Sequence, residues 1–281
     1  MLPPEDSYGL AKRFEFVRAE IECRNPRRVL DFGCGTGANL TLLLAKRFPH
    51  IQFIGVDSDA ASITHARGSC EIRNLDFRLY PREFAFGEHF DLIVASEVLE
   101  HVEEPDAFLA QLRASLTHGG ALLVTVPNGY GPFELASLVV TLLQLSGLYA
   151  LLRKLKRMFT ATPNSSQLGI DTLAISPHVN FFSFEELRRL FDMHGLSVVR
   201  YHARTFLCGF GFDQLLRSSG VLRWNARIAD RLPPQLVSDW MFVLERHESP
   251  GKTAFRRGPY ARLRRRLSYY RHGQRAPTTN R

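Results

Sequence analysis

The sequence predicts an α/β fold whose core is a parallel sheet covered by helices on both faces. Strand-like and helix-like segments alternate from residue 10 to residue 127. The strand-like ones are continuous apolar runs rather than alternating ones, the pattern of strands buried on both sides. A third observation points to a ligand at the edge of that sheet. Residues 29–37 read VLDFGCGTG, a bend poor in side chains directly behind the first apolar run.

The elements follow in order. Leu10, Phe14, Val17 and Ile21 recur at helical spacing, so the chain opens with an amphipathic helix. RRVLDFG is a buried strand, and Leu40, Leu43, Leu44 and Phe48 mark a helix that Pro49 closes. IQFIGVD is the second strand, followed by SDAASITHARG, a short helix with Ser58 or Asp59 as N-cap and Gly68 as its stop. IRNLDFRLY reads as the third strand and FDLIVAS as the fourth. EEPDAFLAQLRASLTHGG gives a helix ending in a Gly-Gly turn, and ALLVTVP is the fifth strand. The rhythm breaks after Pro127 and resumes at SFEELRRLFDMHG, a helix with a Ser183–Glu186 capping box and Gly195 beyond its end. LSVVRYHA and DWMFVLER supply the last two strands, and TATPNSSQLG reads as a linker.

A chain of 281 residues suits one sizeable core with appendages. Cys23, Cys34, Cys70 and Cys208 show no CxxC or ligand spacing, which argues against a disulfide framework or zinc site and for a reducing, cytoplasmic setting. The start, MLPPEDSYGL, has neither a basic nor an apolar signal region. The net charge of +8 is uneven: from Arg246 onward there are eleven Lys/Arg and one acid, and before it 25 basic residues face 27 acidic ones. The expected division is therefore a body over 1–245, with an insert at 129–177, and a basic tail over 246–281. Total charge is no argument for nucleic acid.

Gly33, Gly35 and Gly37 sit between a strand and a helix, where glycine permits positive φ and close backbone approach to a ligand. Dinucleotide folds space these glycines as G-x-G-x-x-G around a pyrophosphate. Here the spacing is G-x-G-x-G with Asp31 just ahead of it. A carboxylate beside a pyrophosphate is electrostatically wrong, but it suits an amino group or a sulfonium. Asp57, at the end of the second strand, can accept hydrogen bonds from both hydroxyls of a ribose. A cationic amino-acid end joined to a ribose describes S-adenosylmethionine.

VLDFGCGTG, FIGVDSD, FDLIVASEVLEHVEEP and GGALLVTVPN together resemble the class I S-adenosylmethionine-dependent methyltransferases over roughly residues 27–128. SEVLEHV and HVNFFSFEELRRLF are most similar to the branch that holds the ubiquinone-biosynthesis O-methyltransferases. The resemblance implies a Rossmann-like sheet of seven strands, mostly parallel, with the last antiparallel and a helical insert after the fifth. It implies that Asp31, Gly33, Gly35 and Gly37 hold the methionine part of the cofactor and Asp57 the ribose, with Cys34, Ser58 and Ser96 flanking them. Many members carry an acid after the third strand for the adenine amino group. Here FRLYPREF puts Tyr80 at that point, with Glu83 or backbone groups as alternatives.

SEVLEHV places Glu97, Glu100 and His101 at the sheet's carboxyl edge, where ligands of open α/β sheets bind. Methyl transfer to a hydroxyl needs alignment and the loss of a proton, and His101 has the side-chain chemistry of the base. The resemblance implies a second role, a divalent metal on Glu97, Glu100 and His101, which would acidify a bound hydroxyl. The plain alternative is that Glu97 orders the cofactor side and His101 buttresses the next helix. His178 is a second candidate base.

Residues 135–152, LASLVVTLLQLSGLYALL, carry no charge and are followed by RKLKRMF. At 1.5 Å per residue the run reaches about 27 Å, short of a ~30 Å hydrocarbon core. Crossing a bilayer would also split one sheet between two sides. The insert is instead expected to lie on a membrane interface, or to act as a lid or dimer contact. Tyr260, Leu263, Leu267 and Tyr270 interleave with Arg262 and Arg264 to Arg266 in the tail. Segments 133–159 and 256–271 thus form the expected contact with an anionic membrane on its inner face. The expected function is methyl transfer from S-adenosylmethionine to an oxygen of a lipid-like, quinone-like or glycolipid acceptor. Its competitors are RNA methylation using the tail and a non-catalytic module that keeps the fold.

Overall fold

The computed structural model describes residues 6, 8–84, 86–148, 177–208, 218–247 and 255–273. The first half of the chain builds α1 (Leu10–Arg24), β1 (Arg28–Phe32), α2 (Thr41–Arg47), β2 (Gln52–Asp57), α3 (Ala60–Gly68) and β3 (Leu75–Leu79). It continues through β4 (Phe90–Ser96), α4 (Pro105–Ala114), β5 (Leu116–Pro127) and α5 (Pro132–Leu145). The second half adds α6 (Phe184–Met193), β6 (Leu196–Ala203), α7 (Ser219–Ala229), β7 (Asp239–Arg246) and α8 (Pro259–Arg271).

The strands form one sheet in the order β3-β2-β1-β4-β5-β7-β6. β1 through β5 are parallel, and β7 runs antiparallel between β5 and β6. Adjacent strand residues face opposite sides. Leu30, Ile54, Ile93, Leu122 and Phe242 pack under α4 and α6 with Leu109, Leu112, Leu190 and Phe191. Their chain neighbours Val29, Phe53, Leu92, Leu123 and Val243 pack on the other side with Val17, Leu44 and Ile63 of α1, α2 and α3. Two buried faces explain the unbroken apolar runs.

Local chemistry sets the boundaries. Asp59, rather than Ser58, caps α3 by accepting from the Ser62 amide. Ser183 and Glu186 form the reciprocal capping box of α6, and Gly195 turns the chain with φ 64°. β3 is shorter than its apolar run. β5 is longer, because Leu116 pairs with Phe90 ahead of an irregularity in register, so Gly119 and Gly120 lie within the strand rather than in a turn.

The strand order changes direction between β1 and β4, and this opens a crevice at their carboxyl ends. Two further helices border that side. α5 covers only the first part of the uncharged run and ends before Gly147, at φ 73°; residues 149–176, including the TATPNSSQLG linker, lie outside the described residues. Among the described residues no helix is long and apolar enough to cross a membrane. The basic tail corrects one expectation. α8 is docked on the body, and Arg264 and Arg265 are turned inward and buried rather than offered to a lipid surface. Their partners are acids of the body: Arg264 pairs with Glu134 and Arg265 with Glu103.

Candidate active site

The glycine loop closes over the carboxyl end of β1. Gly33, Gly35 and Gly37 all adopt positive φ. A Cβ on Gly33 would lie 2.4 Å from Val98 Cγ2, and one on Gly37 would lie 2.5 Å from Phe77 Cζ, so neither position has room for a side chain. Asp31 is buried at the crevice and accepts a hydrogen bond from Thr41 Oγ1 at 2.6 Å. Burial raises its pKa to about 6, partly offset by Thr41 and Arg13, so at neutral pH it is a charge short of cationic partners. Asp57 accepts from the Gly35 amide at 2.8 Å and the Asp59 amide at 2.9 Å, which ties the loop to β2 beside Ser58. Burial keeps the Cys34 sulfur a thiol.

Tyr80 and Glu83, the residues expected near the adenine, both lie just beyond β3. The Tyr80 ring packs edge-on against Phe32 at 5.2 Å. Glu83 accepts from the Leu79 amide and pairs with Arg67.

At the end of β4, Ser96 Oγ contacts Thr125 Oγ1 at 2.8 Å and accepts from Arg13 Nη1 at 3.2 Å. Glu97 stands at φ 57°, a costly conformation for a side-chain-bearing residue that its surroundings enforce. Its carboxylate accepts from Thr125 Oγ1 at 2.7 Å and pairs with Arg204 Nη1 at 3.0 Å. Arg204, 4% exposed, also pairs with Asp239 at 2.8 Å. Burial opposes the charge on Glu97, but Arg204 and Arg13 together bring its pKa below the usual carboxylate value. Glu97 is therefore an anchor of the β4 end.

Glu100, His101 and His178 form a second group. His101 Nδ1 lies 3.1 Å from the Pro177 carbonyl, to which it can donate, leaving Nε2 with its lone pair. The two imidazoles meet edge to face with centroids 4.8 Å apart. His178 Nδ1 lies 2.6 Å from Glu134 Oε1, at the start of α5. Burial, and then the His178 charge, lower the His101 pKa to about 4. Burial also works against a charge on His178, but Glu134 outweighs it and raises the pKa to about 9. The pair thus holds one neutral and one cationic imidazole at neutral pH. Such divergence marks acid–base sites. Glu100 is 2% exposed, and neither carboxylate oxygen has a hydrogen-bond partner among the described residues. Burial, and then Glu97, push its pKa well above the usual range.

This arrangement does not fit the metal set expected from Glu97, Glu100 and His101. Glu97 is bound into the Arg204 pair and does not join. The donors that approach one another are Glu100, His101 and His178, within 4.8 Å. Donors about 2 Å from one ion stand ~3–4 Å apart, and a ligating imidazole must be neutral. The three donors are spread over up to 4.8 Å, wider than one ion spans, and no step below runs through a metal.

Arg13, Arg204 and Glu134 escaped the sequence reading. Each is a single charged residue outside any motif, and its partner lies far along the chain. The lone hint was Glu134 in an otherwise apolar stretch.

A family model described as a methyltransferase domain matches residues 6–201. The ubiquinone biosynthesis O-methyltransferase of Bradyrhizobium sp. (strain ORS 278) is 34% identical over 122 residues, covering 42% of this chain and 46% of that protein. The trans-aconitate 2-methyltransferase of Deinococcus radiodurans is 37% identical over 114 residues, covering 41% and 43%. The chain spans about half the length of the curated relatives it matches. PKMT2 from Rickettsia typhi, solved in complex with AdoHcy, shares the fold with a TM-score of 0.52 at 16% identity, over 91% of this chain and 56% of that one.

Proposed function

The chain belongs to the methyltransferase-domain family, and from that premise we propose that it transfers a methyl group from S-adenosylmethionine to a hydroxyl of a lipid-like, quinone-like or glycolipid acceptor. The observation that carries this reading is the pair of acids across the glycine loop. Asp31 meets the cofactor's ammonium and sulfonium end, and Asp57 meets the ribose hydroxyls, with Gly33, Gly35 and Gly37 admitting the ligand between them. Arg13 and Ser96, at the mouth of the same crevice, face the methionine carboxylate.

The histidine pair serves the acceptor. His101 Nε2 takes the hydroxyl proton as the oxygen attacks the methyl carbon, the sulfur leaving with the bonding electrons. The His178 imidazolium steadies the negative charge that develops on that oxygen. Glu97, fixed by Arg204, keeps the loop that carries His101 at the end of β4.

Oxygen as the accepting atom is supported by the name of the Bradyrhizobium relative. The membrane side is supported by α5, whose Leu135, Val139, Leu142 and Leu145 are exposed at helical spacing. α8 lies beside it with Arg262, Leu263, Arg266, Tyr270 and Arg271 facing outward. An apolar stripe next to exposed arginines matches an anionic bilayer surface in both character and charge.

The test is methyl transfer from labelled cofactor into extracted lipids, small acids and RNA. Label in the lipid fraction supports the proposal; label in the acids or RNA alone overturns the acceptor. His101→Ala should lower transfer by about 10²–10⁴-fold with cofactor binding intact. The His178 charge is present below about pH 9 and the His101 lone pair above about pH 4. At saturating cofactor, transfer should therefore hold between these limits and decline above the upper one. Flotation with anionic liposomes checks the membrane: protein left at the bottom of the gradient at low salt removes it.

A further inference from the structure

α8 is joined to the histidine pair by a direct chain of contacts. Arg264 Nη2 donates to Glu134 Oε2 at 2.5 Å, and Glu134 Oε1 lies 2.6 Å from His178 Nδ1. The Arg264 guanidinium lies over the Phe181 ring, 4.6 Å from its centroid, three residues beyond His178. Arg265 Nη1 donates to the Val179 carbonyl at 3.4 Å, and Arg257 Nε donates to Asn180 Oδ1 at 2.9 Å. On its other side the same segment is held by the loop after β4. The Val179 and Asn180 amides donate to the Glu100 carbonyl, and Asn180 Nδ2 donates to the Leu99 carbonyl at 2.9 Å.

We propose that α8 is a working part of the acceptor side of the site, with Arg264 a positioning residue that holds the Glu134 carboxylate against His178. The inference rests on the reading of His101 and His178 as the groups that meet the acceptor.

Three points argue for it. Glu134 is 2% exposed, and a buried carboxylate needs partners on both oxygens. With His178 alone it could turn about its terminal torsion; a second contact from the opposite edge fixes its plane and, through it, the imidazole. Arg264 is suited to that task because its planar fork is itself held on an aromatic face. Finally, a helix that served packing alone would bury apolar residues. α8 buries Arg264 and Arg265 beside Ala261 and Tyr269, while leaving Leu263 in solvent. The groups that face His178 are Glu134 from α5, and His101, Glu100 and Glu97 from the β4 end.

The test uses the full chain labelled with ¹⁵N-histidine. A hydrogen bond as short as that between His178 and Glu134 gives a downfield, exchange-protected Nδ1–H resonance, assigned by its absence from His178→Gln. Arg264→Met should lose the resonance and Arg264→Lys should recover it. Leu263→Ser, on the outward face of α8, should keep it. An Arg264→Met spectrum identical to that of the unaltered protein overturns the proposal. S-adenosylhomocysteine binding by calorimetry confirms that each variant is folded. Should Arg264→Met fail that check, Glu134→Asp tests the same bridge. It keeps the charge but cannot span both partners, so a retained resonance overturns the proposal equally. No methyl acceptor enters this readout, so its failure leaves the transferase reading standing. Loss of cofactor binding in the unaltered protein would instead strike that reading.

Discussion

Replacing Asp31 by Asn tests the cofactor site where its chemistry is most exposed. Asn keeps an acceptor for Thr41 Oγ1, so the loop retains its hydrogen bond while the charge is lost. Asp31 is 5% exposed, so a cationic ligand placed against it forms a buried pair. Removing one member of such a pair costs about 3–5 kcal/mol, or about 10²- to 10⁴-fold in affinity at 1.36 kcal/mol per decade. Protonation should do the same more gently. Burial raises Asp31 to about 6 in the free protein, so its charge is present above that pH and lost as pH falls through it. Between pH 7 and pH 5 the ionised fraction drops about tenfold, and cofactor affinity should drop with it if the complex holds the proton off. Calorimetry with S-adenosylhomocysteine measures both, since its ammonium and carboxylate do not titrate in that range. Asp31→Asn should bind weakly and show no pH slope. A variant that binds as tightly as the unaltered protein, or an unaltered protein with no slope, would refute the placement of the ammonium at Asp31.

Two further outcomes concern the scaffold. Arg204→Met leaves Glu97 and Asp239 buried without their shared cation. It should cost about 3–5 kcal/mol, read as a fall in Tm of about 6–20 °C. Burial already raises Asp239 to about 6, and without Arg204 both carboxylates move higher, so the deficit should shrink as pH falls from 7 to 5. A deficit that does not shrink would show that the two charges are compensated elsewhere. Gly37→Ala places a Cβ 2.5 Å from Phe77 Cζ at φ 72°, and should cost more stability in chemical denaturation than Gly147→Ala, which has similar φ and open space around it. Equal losses would mean that the loop relaxes freely.

The sheet could be read from the sequence because burial on both faces writes itself into consecutive residues such as VLDF and FIGV. Asp31 and Asp57 stand out for a related reason: an acid in or at the end of an apolar run is out of place by composition alone. The capping box of α6 is likewise local, three residues apart. The ion pairs are not local. Arg204 and Glu97 are 107 positions apart, and Arg264 and Glu134 are 130 apart. Nothing in the periodicity of either segment encodes such a meeting. The same limit explains why the arginines of the tail were counted as surface charge. Composition records how many cations a segment has, and only packing shows which of them already own a carboxylate.

The place of β7 in the sheet has a bearing on how the chain matures. Among the described residues β6 pairs only with β7, and the outer side of β5 is also filled by β7. Until residues 239–246 leave the ribosome, both β5 and β6 present open hydrogen-bonding edges, the sites at which newly made chains stick to one another. Completion of the sheet therefore waits for β7, and a product stopped short of that strand is left with two adhesive margins.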